Sequence, residues 1–163
     1  MNNRLARKVS MSKWNNQIEN KSKVVSADAI TSCLKTKDNT LSVWCVENVE
    51  DAVLALACVN TSISPIDILE FTKERLGEIS IEISAVKATN PVADLVNKHY
   101  DIINLNYNSL GIIANEIANE TIKNSTFITR YSKPKVKKII EQAITDGRVN
   151  VVDLPDNLQK NFK

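Results

Sequence analysis

Hydrophobic and polar positions change their period several times along the chain. From Leu41 to Val46, LSVWCV, only Ser42 interrupts an apolar run. That pattern predicts a central strand covered on both faces. From Ala52 to Val59, AVLALACV leaves almost no polar side. This run predicts the most buried helix, capped by Asn48, with Leu56 in the core. SISPIDILEF predicts a second strand, with Pro65 at its start or on an edge. In EISIEISA, Ile79, Ile81 and Ile83 alternate with Ser80, Glu82 and Ser84. The alternation predicts a half-exposed strand near a sheet edge.

Shorter signals fill the gaps. Val24-Val25 predicts a brief strand. Ser26 caps a helix that places Ala29, Ile30, Cys33 and Leu34 on one face. TKERLG predicts a helical turn stopped by Gly77. Three helices are expected to follow. The first starts at Asn90-Pro91, with a stripe of Val92, Leu95, Val96, His99, Ile102 and Ile103. The second carries Leu110, Ile113, Ala114, Ile117 and Ala118. The third starts at Ser132, turns Val136, Ile139, Ile140, Ala143 and Ile144 inward, and ends at Gly147. RVNVVDL predicts a short strand before a polar tail.

These elements predict an α/β or α+β fold. The expected sheet is small, three to five strands packed with helices, and the C-terminal half is mainly helical. The 163 residues suggest one domain, large enough to need no metal or disulfide staple. The expected division is a basic N-terminal arm over 1–23 and a single globular α/β domain over 24–163.

Charge changes that picture. The net charge of +2 hides a strong segregation. Residues 1–23 hold six cations and one acid, and residues 130–163 hold eight cations and four acids. The stretch between them is acidic. The basic ends could pack on that acidic middle, or grip a polyanion or an acidic partner.

TRYSKPKVKKII, Thr129 to Ile140, sharpens the point. Ser132 suits an N-cap and Pro134 suits the first turn. Yet Arg130, Lys133, Lys135, Lys137 and Lys138 crowd a helix end that favours anions. A cation there costs about 0.3–1 kcal/mol at low salt. The capping-box position where Glu would sit is Lys135. Phosphate, the acidic middle of the chain or a partner protein would each offset the cost, and solvated lysines with no role fit as well. With Arg4, Arg7 and Lys8, these side chains form the candidate binding set.

Candidate chemistry is sparse. Three glycines, Gly77, Gly111 and Gly147, form neither a dinucleotide fingerprint nor a phosphate loop. No cofactor is expected. Cys33, Cys45 and Cys58 form no C-x-x-C, so they are expected as small buried hydrophobes rather than zinc ligands. Asp28, Asp38 and Glu47 could hold a divalent cation only if the fold converges them. His99, in NKHYD beside Lys98, Tyr100 and Asp101, is the one candidate for general-base chemistry, as in a small nuclease. A Cys45–His99 pair is a further arrangement. On the apolar stripe of its helix, His99 is expected to be buried and structural.

The longest apolar run has eight residues and cannot span a bilayer. The N-terminal stretch lacks an apolar signal core. The expected location is cytoplasmic, with no membrane association. Two functional classes follow. One is a non-catalytic interaction protein that binds and controls a larger protein, as a bacterial immunity protein, antitoxin or defence-complex accessory subunit does. The other is a nucleic-acid-binding module using the N-terminal arm and the 130–138 helix start, resembling a winged helix in outline. A nuclease centred on His99 is the third.

Overall fold

The computed structural model describes residues 4–163. Six strands form one antiparallel sheet: β1 (Arg4–Val9), β2 (Leu41–Val46), β3 (Ile66–Thr72), β4 (Ile83–Ala85), β5 (His99–Ile102) and β6 (Ile128–Tyr131). Their order across the sheet is β4-β5-β2-β1-β3-β6. The helices are α1 (Asn15–Asn20), α2 (Ala27–Cys33), α3 (Val49–Ala57), α4 (Lys73–Glu78), α5 (Tyr107–Lys123), α6 (Lys133–Thr145) and α7 (Asp156–Gln159).

Helices cover both faces, which explains why β2 and β3 are apolar on both sides. One face packs Ala6, Trp44, Val46, Ile66, Ile68 and Tyr131 against α3, α6 and α7. The other packs Leu5, Val9, Leu41, Val43, Leu69, Phe71 and Ile128 against α1, α2, α4 and α5. β2 and β3 both pair antiparallel with β1, so they run parallel to each other with α3 as the crossover between them.

Two expected caps form: the side chains of Ser26 and Asn48 accept hydrogen bonds from the N–H groups of Ala29 and Asp51. The Thr72 side chain, which the sequence did not single out, likewise accepts from the Arg75 N–H. α3 is almost wholly buried. Gly147 takes a left-handed φ of 72° just after α6, as a C′ glycine does.

The expected sheet of three to five strands with a mainly helical C-terminal half is corrected to six strands. Three of them, β4, β5 and β6, lie beyond residue 82. The helix expected from Asn90-Pro91 does not form. The buried Asn90 side chain donates to the Ala55 carbonyl and accepts from the Val92 N–H. A single 3-10 turn, Ala93–Leu95, follows, and the chain then extends as β5. There His99 pairs with Trp44 and Ile102 with Leu41. The open edge of β2 takes a strand although the local period is helical. ITRY is likewise recruited as β6 by the free edge of β3.

Smaller corrections follow the same logic. The edge strand β4 is real but covers only Ile83–Ala85. Gly77 lies inside α4 rather than stopping it. Val24-Val25 is loop. Val151–Asp153 is a 3-10 turn, and the expected polar tail contains α7 with a fully buried Leu158.

The segment expected as a basic arm over 1–23 enters the fold. Residues 1–3 lie outside the described residues. Arg4–Val9 is a strand with neighbours on both sides, and the next segment packs its buried Trp14 into the core. Leu56 is only half-buried, whereas Leu54 is 1% exposed. Leu54→Ala should therefore cost about 2–5 kcal/mol in urea unfolding, the range for a buried leucine, and Leu56→Ala clearly less.

Candidate functional site

α6 begins directly after β6, so the sheet edge fixes where its first turn stands. Ser132 adopts the extended N-cap conformation but makes no side-chain cap bond, and no acid occupies the first turn. The free N–H groups therefore meet cations. Lys135 lies over the ring of buried Tyr131, with Nζ 4.9 Å from its centroid. Burial, followed by the nearby Glu70 and Glu50, raises the Tyr131 phenol above its usual range.

Ion pairs divide the candidate cations. Arg4 meets Glu70 at 3.3 Å, Arg130 meets Asp67 at 3.6 Å, and Lys137 meets Glu141 at 3.5 Å. Among the described residues, Lys133, Lys135 and Lys138 meet no carboxylate within ion-pair distance. Lys135 and Lys138 border a groove of about 340 Å³ between α3 and α6. Leu54, Ile139 and Ala143 contribute apolar lining, and Glu50, Asp146 and Arg148 complete the polar wall. Arg148 is pinned by Asp51 at 2.8 Å and Asp94 at 2.7 Å, which raise its pKa against some desolvation. It therefore holds the groove wall in place.

The eight candidate cations do not form one patch. Arg4 joins the α6 end, since it and Lys135 both border Tyr131. Arg7 and Lys8 point to opposite faces of β1 by strand alternation. Arg7 donates from Nε to the Cys33 carbonyl at 2.9 Å and from Nη1 to the Ser42 carbonyl at 2.6 Å. Lys8 is exposed at the far end of β1.

His99 is on β5, not on a helix. Its ring packs edge-on against Trp44, with centroids 4.9 Å apart. Nε2 is 3.9 Å from Asp101 Oδ1, and Nδ1 is buried without a hydrogen-bond partner. Its sequence neighbours do not join it. Lys98 holds Glu47 at 3.0 Å, and Tyr100 sits under Lys73. Cys45 packs with the cluster on the opposite face of the sheet.

The expected carboxylate set stays apart. Asp28 meets Lys13, Asp38 occupies a left-handed turn position, and Glu47 pairs with Lys98. No group of metal-ligating side chains converges among the described residues. Nor does α6 lead into a wing, because the following segment is a 3-10 turn. Sequence reasoning missed the anchoring roles of Arg148 and Arg75. Arg75 forks onto buried Glu116 through Nε and Nη2. Neither pair has a sequence signal, because 97 and 41 positions separate the partners.

No helix among the described residues is long and apolar enough to cross a membrane. No family model, curated protein or solved structure matches the chain.

Two tests follow from these environments. His99→Gln removes the ring contact with Trp44 and should lower urea-unfolding stability by about 0.5–1.5 kcal/mol, the worth of an aromatic pair. Burial also pushes the Cys58 thiol from its ordinary 9.0 up to about 12. The unfolded chain then loses that proton first, so stability should fall as pH rises from 9.0 toward about 12. Cys58→Ala should flatten the fall in denaturation curves taken across this window.

Proposed function

We propose that this chain is a non-catalytic cytoplasmic interaction protein that grips an acidic segment of a larger protein with the first turns of α6. The observation that carries this reading is the pair Lys135 and Lys138. Both stand at the rim of an apolar-floored groove, on a helix end that already favours anions, without a carboxylate of their own. Lys133 extends the same free charge. A segment with acidic and apolar residues matches that surface: carboxylates would meet the lysines and free N–H groups, and apolar side chains the groove floor. Control of a larger protein by such a contact is the mode of an immunity protein, antitoxin or accessory subunit. Nucleic acid is the competing partner. Its case is weaker because Arg7 and Lys8 are built into the sheet instead of trailing as an arm.

The two partners give different salt dependences. Replacing Lys133, Lys135, Lys137 and Lys138 with Gln should leave the thermal midpoint unchanged or slightly higher, since the cations oppose the helix dipole. Titration with an acidic amphipathic peptide should show binding to the parent chain, with the quadruple variant losing most of its association rate. Titration with duplex DNA should show only weak binding. Stronger duplex binding, with a log–log salt slope that drops by about 0.9 per lost phosphate contact in the variant, would favour the nucleic-acid reading. Equal binding of peptide and duplex by parent and variant would remove α6 as the functional surface.

A further inference from the structure

The sheet is not laddered along its whole width. β1 pairs with β2 only from Arg4 to Ala6, opposite Val46 to Trp44. β1 nevertheless continues against β3 to Val9, and β2 continues against β5 to Leu41. Over Arg7–Val9 and Leu41–Val43 the two strands are neighbours without being partners. At this gap lies an open depression of about 370 Å³ whose walls include Arg7, Lys8, Ser32, Ser42, Trp44 and Leu56.

Arg7 occupies the gap. Beyond its bonds to Cys33 and Ser42, Nη2 points at the Lys35 carbonyl at 3.5 Å. All three acceptors are neutral backbone oxygens, two of them at or just beyond the end of α2. A guanidinium carries five N–H donors, so two remain. No carboxylate neutralises the charge. Its burial instead pushes the group from 12.5 down to about 10. Arg7 is half-buried, and a guanidinium partly withdrawn from water without a counter-anion is favoured by an anion that completes it. Lys8 borders the same depression and also lacks a carboxylate partner among the described residues. The acid in this neighbourhood is Asp101, and its Oδ1 accepts the Ser42 hydroxyl at 3.1 Å. An anion would therefore sit on the Arg7, Lys8 and Ser32 side of Ser42.

We propose that the β1–β2 gap binds a small phosphate monoester, its phosphate in the opening that Arg7 and Lys8 border from opposite faces of β1 and its organic part toward Trp44. Two cations match a dianion better than a single carboxylate. The volume suits a small molecule rather than a bare ion. Trp44 supplies an apolar wall for the remainder of the ligand. The ligand would also bridge the two strands where no ladder joins them. This site is separate from the α6 surface and does not depend on it.

The probes are inorganic phosphate and adenosine monophosphate, titrated at constant ionic strength against chloride. Both should raise the thermal midpoint saturably and shift the backbone amides of Ser10, Ser32 and Val43. The monophosphate should bind more tightly than inorganic phosphate. Arg7 also caps α2, so its variants are open to misfolding, and Lys8→Gln and Ser32→Ala carry the test. Each should keep the fold and weaken binding by about tenfold or more, as loss of a charge-assisted contact does. The four-lysine α6 variant should bind both probes as the parent does. Absence of a saturable shift would overturn the proposal, as would unchanged affinity in both Lys8→Gln and Ser32→Ala. A duplex oligonucleotide that shifts the same amides more tightly than the monophosphate would overturn the small-molecule assignment.

Discussion

The position of β1 between β2 and β3 is the constraint on which the molecule depends. Six residues at the start of the described chain join two strands that are far away in sequence, and every other strand attaches outward from that core. Leu5 and Ala6, both fully buried, send one side chain to each face of the sheet. α3 then crosses over β1 and buries nearly its whole surface. Without β1, β2 and β3 would run parallel with an empty lane between them, and α3 would have no floor.

The same placement creates the electrostatic tension in the fold. β1 is basic, and its central place in the sheet leaves Arg4 and Lys8 exposed but draws Arg7 inward. Arg4 reaches Glu70 on the neighbouring strand. Arg7 has no such partner and is satisfied by carbonyls alone. Elsewhere, charges removed from water are neutralised. Arg148 ties α3 to the 3-10 turn before β5 through Asp51 and Asp94, and Arg75 ties α4 to α5 through Glu116. The contrast makes Arg7 the unusual arginine.

Among the described residues, the α6 end and the β1–β2 gap each gather cations without a carboxylate partner, and they differ in kind. The α6 end sets Lys135 and Lys138 along the rim of an open, apolar-floored groove, a surface suited to a peptide segment. The β1–β2 gap is an opening bordered by a guanidinium, an ammonium, hydroxyls and Trp44, a place suited to a small anion. Neither contains a nucleophile held by a base. His99 is turned toward Trp44, and the cysteines on the two faces of the sheet do not meet it.

The sequence alone determined what local chemistry controls. Caps at Ser26 and Asn48, the two-faced apolar strand at Leu41–Val46, the buried helix after it and the C′ glycine at Gly147 were all legible, because each depends on neighbours within a few residues. The unusual charge at the start of α6 was legible for the same reason. Tertiary structure decided whatever depends on a distant partner. His99–Ile102 has a helical stripe but becomes a strand, because hydrogen bonding to the free edge of β2 outweighs a weak local period. The N-terminal cations look like an arm, since no local pattern reveals that Leu5 and Ala6 complete a sheet. The Arg7 gap was invisible for a further reason: it is defined by a ladder that stops, and a missing pairing leaves no mark in the order of residues.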